Sequence, residues 1–350
     1  MIERARLAKR SGLRTLGLVL PGLVMLGGGA LSQAQEIAAP LAIDEWTVPY
    51  PDSRPRDPYV GPEGRVWFVG QVGDYVAALD PETGEFTRYD LDPGTGPHNL
   101  IVDTDGTVIY SGNRAAHIGI LDPETGDIQK IAMPDARARD PHTLTWDAAG
   151  NIWFTVQQGN LIGFMDGKTH DIRFVDAPDI QGGRTMSSRP YGIKLDSEGR
   201  PWIAHFGTNL IGMVDPRSFE LVGYDLPEGS RPRRLVIDSR DRIWYVDYRR
   251  GKIGLVLEGD GFQKEFDLPG GEGSRPYGMA LDKDDVIWAV ETGVTPNRFV
   301  GFDTRTERFV GTAEVASGGG SIRHMYYDEP TDSIWFGTDA NTVGRAVIQP

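Results

Sequence analysis

The 350-residue chain contains no cysteine. That excludes disulfides, thiolate metal ligands and thiol nucleophiles. Long apolar runs are missing after the first 34 residues. Within those residues, Arg4, Arg6, Lys9, Arg10 and Arg14 form a basic start, residues 16–31 are apolar, and Ser32-Gln33-Ala34 offers small residues for cleavage. Pro21 and three consecutive glycines interrupt the apolar stretch and argue against a membrane span. Residues 1–34 are therefore expected to be a cleaved signal peptide and 35–42 a short linker, giving a periplasmic or secreted protein with no membrane attachment. Positive charge is in short supply: Lys and Arg number 36 against 50 Asp and Glu, for a net charge of −14. Loss of residues 1–34 would make it −18. Such a surface argues against nucleic acid and anionic lipid as partners. Sustained 3.6-residue periodicity is lacking after the N-terminus, as are G-x-S-x-G, P-loop and H-E-x-x-H motifs.

What is present is a repeat. Trp67, Trp153, Trp202, Trp244, Trp288 and Trp335 recur in one local pattern, with Ile109 filling the gap, at steps of 42, 44, 49, 42, 44 and 47 residues. Each copy holds four short apolar, β-branched or aromatic runs separated by Asp/Gly/Pro/Asn clusters, which reads as four strands joined by tight turns. Asp147-Ala148-Ala149-Gly150 fits the first hairpin turn, and Asp-Pro-x-Thr-Gly at residues 80–84 and 122–126 fits the third. Four-stranded units at this period predict an all-β, seven-bladed β-propeller over 43–350. The blades fall near 54–91, 97–133, 141–178, 190–227, 232–269, 276–315 and 323–350. The last copy lacks a fourth strand, and Glu45-Trp46-Thr47-Val48-Pro49 resembles the missing one. The N-terminal segment 43–49 is expected to close the ring and so remove an exposed sheet edge.

The register fixes where a site can lie. Eleven residues before each tryptophan position stand Arg56, His98, His142, Tyr191, Arg233, Tyr277 and His324, six of them directly after proline. Three residues after it stand Gly70, Gly112, Val156, His205, Asp247, Glu291 and Thr338, followed by Gln71, Asn113, Gln157, Phe206, Tyr248, Thr292 and Asp339. The first strand starts where its antiparallel partner ends, so these positions should ring one mouth of the central channel. Four of the six histidines fall on the first two sets, and histidine is the side chain suited to proton transfer near neutrality. Ser-Arg-Pro recurs at Arg54, Arg189, Arg231 and Arg275, two residues before the ring position. These arginines suit either an anionic or carbonyl-rich ligand or blade-to-blade ion pairs. The candidate ligand-binding residues are Arg56, His98, His142, Tyr191, His205, Arg233, Tyr277 and Arg323. Asp247 and Glu291, with Asp339, offer carboxylates for a hard cation.

The blade text resembles the virginiamycin B lyase (streptogramin lyase) family. The resemblance rests on Pro190-Tyr191-Gly192-Ile193, Asn151-Ile152-Trp153-Phe154, Ile118-Gly119, Ile162-Gly163, Ile211-Gly212 and Ile253-Gly254. It implies Mg²⁺-assisted β-elimination at the ester of a cyclic depsipeptide, with a catalytic His at the ring position of the last blade and a Glu fourteen residues later. The matching residues are His324 and Thr338, with Asp339 beside the latter; Glu291 holds the equivalent place one blade earlier. The resemblance thus nominates His324, Glu291 and Asp339 as catalytic, and Asp247 with Glu291 for Mg²⁺. A monomer acting on a small-molecule ligand is the expected state, with no protein partner indicated. A non-catalytic ligand- or protein-binding propeller and a lactonase-type hydrolase are the alternatives, because propellers host many functions.

Overall fold

A computed structural model describes residues 40–349 except Gly182, Gly183 and Met186. The signal-peptide segment 1–34 lies outside the described residues. Among the described residues, no helix is long and apolar enough to cross a membrane.

The Asp-rich turns set the strands apart. In the Asp-Pro-x-Thr-Gly turns, Asp80 Oδ1 accepts the amides of Glu82 (2.9 Å) and Thr83 (3.2 Å), and Asp122 Oδ1 accepts those of Glu124 and Thr125. Gly84 closes the first of these with φ +76°, a left-handed value that glycine adopts without steric cost. The first-hairpin turns do a second job. Asp196, Asp238 and Asp282 each accept the indole N–H of the tryptophan six residues later, at 2.8, 2.9 and 2.9 Å. In these three blades the tryptophan is thereby bonded to its own turn while its ring packs in the apolar cores.

Between those turns lie seven four-stranded antiparallel sheets. The first strands of the blades are Pro55–Val60, Leu100–Val102, Pro141–Trp146, Pro190–Leu195, Pro232–Ile237, Pro276–Leu281 and Met325–Asp328. Each contacts the first strand of the next blade, and the last contacts Pro55–Val60. These seven strands surround the central axis. The predicted closure is present: Leu41–Thr47 pairs antiparallel with the final strand Thr342–Ile348, from Leu41↔Ile348 to Thr47↔Thr342. Trp46 stacks on Trp335 at 5.5 Å between centroids, and Asn341 Nδ2 donates to the carbonyls of Val48 and Tyr50, 3.0 Å each. The closing strand starts at Leu41, so two residues expected in the linker belong to the sheet. A two-residue pairing of Ile180–Gln181 with Arg184–Thr185, between the third and fourth blades, had no counterpart in the sequence reading.

Apolar cores lie between neighbouring blades. One joins Trp202, Ile211 and Met213 of the fourth blade to Leu235, Tyr245 and Val256 of the fifth. Burial between blades, at roughly 25 cal/mol per Å² of apolar area, stabilises a chain that has no disulfide.

In five blades the first strand breaks register just after its leading proline: between Pro55 or Arg56 and Tyr59, Pro141 and Leu144, Pro190 and Ile193, Pro232 and Arg234, and Pro276 and Met279. An irregularity of this kind interrupts the alternation of faces, so neighbouring residues can both turn toward the axis.

Candidate functional site

The ring positions do meet around the axis. The rings of His98 and His142 lie 3.6 Å apart, and those of His142 and Tyr191 4.2 Å apart. The hydroxyls of Tyr191 and Tyr277 are hydrogen-bonded across the channel. The guanidinium of Arg233 stands 3.8 Å from the Tyr277 ring centre, 4.2 Å from Phe206 and 4.3 Å from Tyr248. Arg56 donates to Gln71 Oε1 at 2.9 Å. His324, partly exposed, completes the ring from the last blade.

Directly below is a second layer that the sequence reading did not nominate. Arg234 is 3% exposed, and its guanidinium ties four blades together. Nε donates to the Arg323 carbonyl (3.1 Å), Nη1 donates to Thr143 Oγ1 (3.0 Å), and Nη2 lies 3.6 Å from Asp57 Oδ2. Asp57 Oδ2 also accepts Asn99 Nδ2 at 3.0 Å, while Asn99 Oδ1 accepts the Leu144 amide at 2.8 Å. Gly192 makes room for this layer: a Cβ there would lie 2.8 Å from the Arg233 carbonyl oxygen and 3.0 Å from Arg234 Cα.

Burial sets the protonation of the histidines in this core, and an excess of cations over anions adds to it. Burial, then Arg56 and His142, push His98 well below the usual imidazole value. Burial with Arg234 and Arg56 does the same to His142, and burial with Arg234 and Lys194 to His324. All three are neutral imidazoles at pH 7. Lys194 opens to solvent within the channel yet is enclosed by protein, and burial with Arg234 lowers its ammonium. Burial alone would raise the Tyr191 phenol, but Arg233, Arg56 and Arg234 outweigh it and lower it; burial and then Tyr191 raise Tyr277. Buried atoms without a hydrogen-bond partner gather here: Arg56 Nε and Nη2, Asp57 Oδ1, His98 Nδ1, Arg233 Nε, Arg234 Nη2 and His324 Nδ1. Such a concentration of unsatisfied groups is unusual in a folded interior.

Above the ring, at the same mouth, a cleft of about 780 Å³ is lined by Arg189, Arg231, Arg249 and Arg275, with Phe206, Tyr248, Ser187, Gly207 and Glu272.

Comparison with known proteins fits this geometry. Residues 33–183 match the model of the virginiamycin B lyase family. The chain is a seven-bladed β-propeller, similar to that family over residues 33–183. No curated protein matches it in sequence. Among solved structures, selenomethionine-substituted virginiamycin B lyase from Staphylococcus aureus superposes with a TM-score of 0.78 at 22% identity, over 88% of this chain and 100% of that one. A streptogramin B lyase structure gives 0.77 at 23% identity, over 88% and 98%. A catalytically inactive histidine-to-alanine variant of the Staphylococcus aureus lyase with quinupristin gives 0.77 at 22%, over 88% and 100%. Identities this low establish the shared fold.

Within this propeller, the expected carboxylates are committed elsewhere. Glu291 Oε1 accepts the Gly270 amide at 2.6 Å, and its Oε2 is held by the Arg298 guanidinium, with Nε at 2.8 Å. Asp247 Oδ1 accepts the amides of Arg231, Arg249 and Arg250 at 3.1, 3.0 and 3.0 Å, which makes it a loop cap. Asp339 forms a two-pronged ion pair with Arg323 and faces Arg54 at 3.7 Å. Among the described residues no group of three or more His, Asp or Glu is placed to hold a metal ion. The residues present therefore do not fit the implied Mg²⁺, nor the channel metal of a lactonase-type hydrolase.

Two further expectations need correction. His205 does not reach the channel: it is fully buried in its blade, its Nδ1 hydrogen-bonded to Ser188 Oγ at 2.9 Å and its Nε2 packed over Gly212. Thr338, where the family glutamate would stand, is also buried, sharing a 2.8 Å hydroxyl hydrogen bond with Thr342. Ion pairing between blades accounts for only one of the four Ser-Arg-Pro arginines, Arg54 with Asp339; Arg189, Arg231 and Arg275 form no ion pair among the described residues.

Proposed function

We propose that this protein is an exported carbon–oxygen lyase of the streptogramin-lyase type, which captures a cyclic ester at the channel mouth and opens it by elimination. The observation that carries the reading is His324: a partly exposed neutral imidazole whose buried Nδ1 lacks a partner, set among the charges of Arg234, Lys194 and Arg56.

In such a step the imidazole takes a proton from the carbon next to the one that bears the ester oxygen, a carbon acidified by its own neighbouring carbonyl. The released electron pair forms a carbon–carbon double bond, the carbon–oxygen bond breaks, and the carboxylate departs. Neighbouring cations that weaken the imidazole as a base also stabilise the negative charge growing on the substrate. Proton transfer converts two neutral partners into an ion pair within that field, so the two effects oppose. Arg323 is tied to Asp339 and would orient a substrate carbonyl only as part of that pair. No step is assigned to a metal. Export rests on residues 1–34, and the working state is a monomer with a small-molecule ligand.

A second reading, a ligand-binding propeller without catalysis, is favoured by one observation: Glu291, Asp339 and Asp247, the carboxylates nominated to assist His324, already hold arginines or backbone amides. Incubation with a streptogramin B followed by mass spectrometry separates the two. The lyase yields a ring-opened product of unchanged mass, whereas hydrolysis adds one water, and His324→Asn abolishes the product. An intact antibiotic, or equal turnover by the variant, rejects the catalytic reading.

A further inference from the structure

The arginine cleft beside the ring has a volume of about 780 Å³ and gathers four arginines, of which Arg231 donates to the Ser230 carbonyl at 2.9 Å. Arg189, Arg231, Arg249 and Arg275 converge on it, and none forms an ion pair among the described residues. In a chain of net charge −14, four unpaired arginines facing one cleft leave a strong local positive potential. Glu272 is the one acidic residue in the lining. Arg231 is held below its usual guanidinium value by burial and by the nearby Arg249, so like charges oppose one another in the cleft. An entering anion relieves that repulsion.

The backbone holds the arginines in place. Arg189 and Arg275 adopt φ +52° and +44°, left-handed values that a side-chain-bearing residue before proline normally avoids. Their carbonyls are fastened from the neighbouring loop: Arg189 O accepts the Phe206 amide at 3.1 Å, and Arg275 O accepts Thr292 Oγ1 at 2.8 Å. Arg231 O accepts the Tyr248 amide at 3.1 Å. The same bonds thus position the two aromatic residues and the arginines above them. Phe206 and Tyr248 are half-buried, open to the cleft, and tilted at 77° with centroids 6.1 Å apart. Arg233 lies between them from below and takes up their inner faces.

We propose that this cleft binds a small aromatic carboxylate, its ring on Phe206 and Tyr248 and its anionic group among Arg189, Arg231, Arg249 and Arg275. A guanidinium fork matches a carboxylate in two-pronged fashion, and an aromatic wall selects a flat apolar body. The cleft volume of about 780 Å³ falls in the range of small-molecule sites. The inference names the ligand class for the mouth where we place the lyase reaction, and it holds whether or not His324 performs elimination.

The test is calorimetric titration of the whole protein with benzoate, with benzyl alcohol (ring without charge) and with acetate (charge without ring). Benzoate should bind in the low-millimolar range or tighter, with each control weaker by about tenfold or more. The double variant R189Q/R275Q changes two exposed side chains and should keep the parent melting temperature while losing about tenfold or more in benzoate affinity. Absence of benzoate binding, a control that binds as tightly as benzoate, or undiminished affinity in the double variant overturns the proposal. Loss of benzoate binding with ring-opening intact overturns this inference alone; missing ring-opening with benzoate binding intact overturns the catalytic reading alone.

Discussion

Lowering the pH from about 7 to about 5 should weaken this fold more steeply than its surface charges alone would. Four histidines are neutral in the folded protein: His98, His142 and His324 in the channel and His205 within its blade. Burial takes His205 from 6.5 down to about 3. The unfolded chain binds a proton at each of these sites below about 6.5, and the folded one does not. The stability they confer is complete above that value and is lost as pH falls toward the folded pKa. For one imidazole that stays neutral when folded, linkage gives a loss of roughly 2 kcal/mol between pH 7 and 5. Four of them together approach about 8 kcal/mol, comparable with the roughly 5–15 kcal/mol that holds a typical domain together. Urea unfolding followed by tryptophan fluorescence at several pH values reads this directly. The slope of unfolding free energy against pH counts the protons taken up, which should approach four near pH 5. His205→Gln keeps a polar partner for Ser188 and removes one titrating group, so its slope should fall by about a quarter. A free energy that stays flat across this range would show that the imidazoles are already protonated in the fold. That result would refute the charge assignment of the channel, and with it the neutral base at His324.

Arg234→Met should cost about 3–5 kcal/mol, because it strands the buried Asp57 carboxylate. The double variant with Asp57→Asn should recover a good part of that loss in thermal melts, and strict additivity of the two changes would contradict direct coupling. Titrating the protein with Mg²⁺ should evolve no binding heat, and a chelator should leave its melting temperature unchanged, since Glu291 and Asp247 are engaged by Arg298 and by backbone amides. A saturable Mg²⁺ isotherm would mean that these pairs open to admit the ion.

The ring of seven was legible because each blade repeats its turn chemistry, and turn chemistry is local. Asp and Gly at fixed offsets set the hairpins, and the tryptophan six residues after the turn Asp marks the register; counting from it placed Arg56, His98, His142, Tyr191, Arg233, Tyr277 and His324 at the axis. The layer beneath escaped the same count for a definite reason. Alternation along a regular strand sends Asp57, Thr143 and Arg234 away from the face of their neighbours, and the register shifts after the leading prolines cancel that alternation. A bulge at a recurring position is visible only once the pairing of both strands is known.

The carboxylates failed differently. Their positions at strand ends were right, but position does not say what a side chain's oxygens already hold. Asp247 spends its Oδ1 on three loop amides, and Glu291 is matched by Arg298, seven residues along the chain. A buried carboxylate needs such partners to remain ionised, so acidic residues at buried strand ends should first be assigned to caps and ion pairs. His205 obeys the same logic with the opposite charge preference. Hydrogen-bonded to Ser188, it is left neutral and structural by burial. His324, also buried at Nδ1, sits among three cations at a channel open to solvent, where an empty hydrogen-bonding position has something to meet.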